Sequence, residues 1–420
     1  MTSTDEDPLR AGPERSGGWT ESAHAPTVRP DAGGEPRRRK GRRRKRRQPV
    51  YAVDAPRGQP AAVQKPAPAA PKLPAPRPAD PGYYAALDLG TNNCRLLIAQ
   101  PRERGFRVVD AFSRIVRLGE GVGASGRLGA AAMDRAVAAL AICAHKLAER
   151  GVRRTRLIAT EACRAADNGP VFLERVRAET GLALEIVSRE TEARLAVAGC
   201  ASLIDPSASG VLLFDIGGGS SELVWIDLSR PSPTGRRRMS DRIRAWTSLP
   251  VGVVTLSERH GGERVDATTF EAMVAEVTAM LDAFPEADML DSAVAEGGLH
   301  FLGTSGTVTT LAGVHLGLDR YDRRRVDGLW MIDDEVEAMM ATLRAMDYPA
   351  RVANPCIGAE RADLVLAGCA ILEAVRRRWR CGRLRVADRG LREGLLVEMM
   401  AEDGVWRRPA AAPRAAGGGR

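Results

Sequence analysis

Apolar positions in this chain of 420 residues gather into short blocks after residue 82 and are sparse before it. Two blocks are alike. "YYAALDLGTNNCRLLIAQ" (residues 83–100) and "VLLFDIGGGSSELVWIDL" (residues 211–228) each run from β-type residues through an acid and a polar turn into more β-type residues. Strand, tight polar turn and strand together predict a β-hairpin. Asp88 aligns with Asp215 and Gly90 with Gly217, both at an offset of 127 residues. Thr91, Asn92 and Asn93 then stand opposite Gly218, Gly219 and Ser220. A dinucleotide motif or P-loop would need a helix after its glycines, and here a strand follows.

What comes after each hairpin also repeats in kind. Residues 130–150 carry a helical period that stops at Gly151, a residue suited to a C-cap. "RLIATEA" then reads as a strand, "NGPVFLERVRAET" as a helix and "LALEIVS" as a strand. A helix over "TEARLAVAGC" leads to the second hairpin. Beyond it, "TFEAMVAEVTAMLDAF" is helical, "LHFLGTSGT" is strand into loop, and "TVTTLAGVHLGL" is helical. "DEVEAMMATLRAM" and "RADLVLAGCAILEAVRRRW" read as helices, "GRLRVAD" as a last strand and "REGLLVEMMAE" as a last helix. Strands first and then alternating helices and strands, twice over, predict two similar α/β lobes with a ligand cleft between them. The expected organisation is a tail over 1–82, a first lobe over 83–203, a second over 204–401 and a tail over 402–420.

Composition changes the picture mainly at the ends. Residues 1–82 are rich in Pro, Ala, Gly and Arg and cannot bury enough apolar surface to offset ordering entropy, so they read as disordered. The formal net charge is +9, but "RRRKGRRRKRR" (Arg37–Arg47) accounts for it, and the rest is close to neutral. Such a run attracts polyanions: nucleic acid, anionic lipid or polyphosphate, or it is a solvated tail with no ligand. Aromatic residues make up 4% of the chain and none interleaves the run, which excludes a base-stacking platform there. The seven cysteines form no CxxC pair and sit mostly in apolar segments, as expected of reduced thiols in a cytoplasmic protein. No secretory h-region and no run of 18 apolar residues is present. The five histidines are scattered and suggest no site.

The two turns are suited to one ligand. Backbone N–H groups in such turns form anion nests. Gly217, Gly218, Gly219, Ser220 and Ser221 let a phosphate approach, while Thr91, Asn92 and Asn93 add side-chain donors. Asp88 and Asp215 are hard oxygen ligands of the type Mg²⁺ takes. "GTSGTVTT" (residues 303–310) opens a helix whose N-terminus offers one more phosphate contact.

With these segments in view, the chain resembles the actin, sugar-kinase and heat-shock ATPase superfamily, whose lobes are actin-like and ribonuclease H-like. Within it, residues 83–402 are similar to the exopolyphosphatase/guanosine pentaphosphate phosphatase (Ppx/GppA) family. The resemblance rests on "ATEACRAADNG", "VSRETEARLAVAG", "FDIGGGSSELV", "LGTSGTVTTLAG" and "ADRGLREGLL", in the family's order. It implies hydrolysis of terminal phosphoanhydrides, in polyphosphate or in guanosine pentaphosphate, with Mg²⁺. Glu192 then matches the catalytic base of the family's "EEARL" segment, although Glu190 and Glu192 also suit a helix N-terminus without any catalysis. Asp215 matches the metal acid, with Asp88 its counterpart in the first lobe. Gly217, Gly218, Gly219 and Ser220 match the phosphate loop, and Glu222 a further acid of that motif. Arg164 matches an arginine expected near the bound phosphates; Arg95 is either a phosphate contact or a surface arginine.

Two departures qualify the resemblance. The first loop reads "GTNNC" where the family more often has "GSNSF", so Asn93 supplies an amide in place of a hydroxyl. The helical domains of longer exopolyphosphatases are not expected here, which favours short substrates. The basic run pulls the other way, as a tether for polyphosphate or nucleic acid. A kinase or ATPase of the superfamily, and a non-catalytic polyphosphate or alarmone sensor, are the rival readings. The family resemblance also implies a homodimer.

Overall fold

The computed structural model describes residues 82–230 and 238–406. The basic run Arg37–Arg47, with the rest of residues 1–81, lies outside the described residues, as do residues 407–420 of the expected C-terminal tail.

Both hairpins form where the pattern predicts them, and each seeds a sheet. In the first, β1 (Tyr84–Leu89) pairs antiparallel with β2 (Asn93–Pro101), which pairs with β3 (Phe106–Ile115). On the other side, β4 (Arg154–Ala159) and β5 (Glu185–Ile186) add in parallel, giving the order β3-β2-β1-β4-β5. The second sheet repeats this with β6 (Gly210–Ile216), β7 (Ser221–Asp227), β8 (Ile243–Leu249) and β9 (Leu299–Thr304). An antiparallel edge strand, β10 (Trp330–Ile332), extends it beyond β11 (Arg383–Ala387), so the order is β10-β11-β9-β6-β7-β8. The molecule is therefore α/β, with two mixed sheets that each begin from an antiparallel hairpin and add parallel strands.

Helices fall close to their predicted spans. Ala130–Arg150 ends at Gly151, whose φ of 56° needs no Cβ penalty to turn the chain. Differences arise where tertiary contact outweighs the local pattern. The strand expected over "RLIATEA" stops at Ala159, and Glu161–Ala165 forms a helical turn. "LALEIVS" keeps only two residues as strand, and the helix after β9 already begins at Gly306. The edge strands β3 and β8 escape the sequence reading because they carry charges on a partly exposed face and form no apolar block.

The central strands are apolar on both faces, as strands covered by helices on both sides must be. Leu87 and Leu89 pack outward on Leu140 and Phe172, while Tyr84 and Ala86 face inward onto Leu395 and Met399. In the second sheet Phe214 and Ile216 face an outer core with Phe270 and Val277, and Val211 and Leu213 face Ala196 and Val197. The inner helices are thus exchanged. Arg189–Cys200, from the first half of the chain, covers the second sheet, and the last helix, Leu391–Glu402, covers the first. Beyond it Asp403 accepts from the Tyr84 hydroxyl at 2.7 Å and from Arg154 at 2.8 Å. No helix among the described residues is long and apolar enough to cross a membrane.

These two helices cross at backbone contact. A Cβ on Gly199 would lie 2.0 Å from the Gly390 carbonyl oxygen, and one on Gly394 would lie 2.1 Å from that of Leu195. Gly394→Ala is expected to destabilise the protein by about 1–3 kcal/mol, the usual cost of overpacking a close contact. Urea unfolding checks this, with Gly382→Ala, where a Cβ meets nothing, as the neutral control.

Candidate active site

The turn of each hairpin is built the same way. Gly90 N–H donates to Asn93 O at 2.8 Å, and Gly217 N–H to Ser220 O at 3.0 Å. The loop carbonyls are then tied off from outside. Thr91 O and Asn92 O accept from Gly119, Val116 and Arg117; Gly217 O and Gly218 O accept from Val253 and Val254 at the start of the helix Val253–His260. With their carbonyls held away, the N–H groups of Gly218 and Gly219 take no partner among the described residues. Backbone N–H groups left open in this way are of the kind that can take an anion.

The two loops meet. A Cβ on Gly218 would sit 2.9 Å from Thr91 Cβ, and one on Gly219 2.8 Å from Thr91 Oγ1, so any larger residue would force the lobes apart. Around this contact lies a cleft of ≈ 140 Å³. It brings together Asp88, Thr91, Asn92, Asn93, Arg95, Glu192, Asp215, Gly217, Gly218, Gly219 and Ser220, the residues singled out from the sequence, with Glu222 beside them. Ser221, whose hydroxyl donates to Val251 O at 2.7 Å, and Arg164 do not line it. Arg164 Nη1 instead donates to Glu192 Oε1 and, at 2.6 Å, to Val187 O, and its other nitrogens go to Glu161. The Ser220 hydroxyl likewise turns to Glu222, at 2.7 Å.

Four carboxylates share the floor, and burial raises the pKa of each. Asp88 and Asp215 are pushed up chiefly by desolvation, against the pull of Arg95. Glu222 rises to about 7 through burial and the adjacent Asp215, although Ser220 and Ser248 donate to it. Glu192 rises to about 8 through burial and then Glu222, with Arg164 opposing. Asp88 Oδ1 is buried with no hydrogen-bond partner.

Three lining residues had weak or no sequence signal. Ser305 holds φ at 74°, a strained value for a residue with a side chain, and its hydroxyl donates to Asp215 Oδ1. "GTSGT" marked the segment, but not the strain. Arg361 reaches the cleft from ahead of the helix Val365–Arg378, anchored on the carbonyls of Ile357 and Cys356 at 3.1 Å each. Burial and then Arg95 lower its pKa. Nothing distinguished it among 62 lysines and arginines. Glu161 lines the cleft at the start of its short helix.

Because Glu192 and Glu222 titrate higher folded than unfolded, the stability they allow is complete below the usual glutamate range. It is lost as pH rises through about 7 to 8. Thermal unfolding of the ligand-free protein in chelator is expected to show Tm falling between pH 5 and pH 8, with Glu222→Gln flattening the slope.

A sequence model described as the Ppx/GppA phosphatase family matches residues 97–403. A guanosine-5'-triphosphate,3'-diphosphate pyrophosphatase of Vibrio atlanticus is 28% identical over 329 residues, 77% of this chain and 60% of that protein. Its counterpart in Aeromonas salmonicida is 28% identical over 320 residues, again 60% of its own length. The chain thus spans about 60% of the length of these curated relatives. The Ppx/GppA family member of Aquifex aeolicus superposes with a TM-score of 0.63 at 27% identity, covering 77% of this chain and 98% of that one. An exopolyphosphatase of Cytophaga hutchinsonii, at 22% identity and TM-score 0.66 over 76% of this chain and 98% of its own, shares the fold.

Proposed function

Because the chain belongs to the Ppx/GppA phosphatase family, we propose that it is an Mg²⁺-dependent hydrolase that removes terminal phosphate from phosphoanhydrides. Inorganic polyphosphate and the 5′ end of guanosine pentaphosphate are its two substrate candidates. The observation that carries the reading is the meeting of the two hairpin turns at a cleft lined by the buried Glu192 and by Arg95 and Arg361.

The residues fit a divalent cation. An unpartnered buried oxygen on Asp88 and a second buried carboxylate on Asp215 are uncompensated negative charge, which a hard cation relieves. No cluster of three or more metal-ligating side chains occurs among the described residues, in keeping with Mg²⁺, which keeps waters and takes substrate phosphate oxygens. Asp88 and Asp215 would hold it, and when bound it supplies charge neutralisation for the phosphoryl group.

The protein's own groups do the rest. The N–H groups of Gly218 and Gly219 hold the terminal phosphate, and Arg95 and Arg361 meet the phosphates behind it. Phosphoryl transfer asks mainly for positioning and electrostatic support, which these fixed donors give. Glu192 accepts a proton from water as its oxygen bonds to phosphorus. The bridging P–O bond breaks, its electrons leave on the shortened phosphate chain, and orthophosphate departs.

Glu192→Gln is expected to lower turnover at least about a hundredfold, the low end of general-base effects, with KM little changed. Phosphate release from long-chain polyphosphate and guanosine pentaphosphate, side by side with Mg²⁺, tests both function and substrate. Unchanged turnover in the variant removes Glu192 as base, and silence on both substrates with tight binding retained favours a sensor. Asp88→Asn is expected to weaken Mg²⁺ binding read by calorimetry without substrate. Deleting residues 1–82 and following polyphosphate affinity across salt concentrations tests a tether in the basic run. Sedimentation tests the implied homodimer.

A further inference from the structure

Phosphate and metal binding give most charged groups at this cleft a task, but not Glu161. It is buried at the start of the helical turn Glu161–Ala165, 8% exposed, and lines the cleft beside the second phosphate loop: a Cβ on Gly219 would come within 3.1 Å of its Cγ. Its two oxygens are both engaged. Oε1 accepts from Arg189 Nη2 at 2.8 Å; Oε2 accepts from Arg164 Nη2 and, at 3.1 Å, from Arg164 Nε.

That second contact fixes more than a charge pair. A guanidinium is planar, so two of its nitrogens on one carboxylate set the direction of the third. The third nitrogen of Arg164 is the one on Glu192 Oε1, with Val187 O as its other acceptor. Arg189 closes the circuit: it opens the helix Arg189–Cys200, so the helix carrying Glu192 also holds Glu161 from the far side. Glu192, Arg164, Glu161 and Arg189 therefore form a chain of alternating charge whose two ends sit on one helix, with Glu192 lining the cleft. An arginine alone on Glu192 would satisfy it as a static ion pair. A second carboxylate on the same guanidinium divides its charge, leaving Glu192 oriented yet able to take a proton.

We propose that Glu161 is a positioning residue for the hydrolysis, acting through Arg164 on the carboxylate of Glu192 and not on the substrate. This rests on Glu192 being the base. The test is a double-mutant cycle on kcat, read by single-turnover phosphate release so that slow variants remain measurable. Glu161→Gln keeps shape and removes charge; it is expected to lower kcat about tenfold, within the usual range of coupling between contacting residues, with KM within about twofold. In a Glu192→Gln background the same substitution is expected to cost nothing further, because there is no base left to position. Arg189→Ala, at a half-exposed site, is expected to give a smaller loss that also vanishes in that background. Equal losses in both backgrounds, a wild-type kcat in Glu161→Gln, or a loss confined to KM would overturn the proposal while leaving Glu192 as base. Full turnover in Glu192→Gln alone would remove the base assignment and this proposal with it.

Discussion

The rest of the molecule depends on the crossing of two helices at backbone distance. Gly199 on one and Gly394 on the other let Arg189–Cys200 and Leu391–Glu402 touch without side chains between them. Each helix covers the sheet of the opposite lobe, so the crossing sets the separation and angle of both sheets together. The hairpin turns sit at the tips of those sheets. Their contact through Thr91 and Gly218, a matter of tenths of an ångström, is therefore decided by glycines in other elements. Glu192 rides on one of the crossing helices, close to its N-terminus, where Ser188 caps the chain through Thr191 N–H at 3.2 Å.

Duplication supplied the scaffold and divergence the chemistry. The two hairpins keep the same turn hydrogen bond and the same closure of their loop carbonyls from outside. Their cross-strand pairs differ: Asp88 lies opposite Arg95, and the equivalent Asp215 lies opposite Glu222. Opposite charges across a strand pair stabilise, whereas like charges repel. The first lobe thus sets an arginine across from its aspartate, although Asp88 Oδ1 keeps no hydrogen-bond partner, and the second sets two carboxylates across from each other. Burial first, and the neighbouring carboxylate second, push Glu222 to about 7 and Glu192 to about 8. The cleft gathers buried carboxylates with raised pKa beside arginines, a pattern that clusters at functional sites.

Local interactions wrote much of this into the sequence. A hairpin turn depends on four or five consecutive residues, so both turns and the acids beside them are legible from Asp88 to Asn93 and from Asp215 to Ser220. Helix ends are legible for the same reason, as at Gly151. The α/β class and the duplication follow from order and period alone, and the motif series that marks the family lies along the chain in sequence order.

Only the tertiary structure decided which element covers which sheet, because the apolar face of a helix does not say whose apolar face it will meet. The exchange of the last helix onto the first sheet is of that kind. So are the edge strands β3 and β8, whose pairing comes from a neighbour and not from their own apolar content. The strain at Ser305, the approach of Arg361 and the chain of ion pairs through Glu161 and Arg164 join residues from separate elements. Their meaning lies in distances across space, which short-range sequence pattern does not encode.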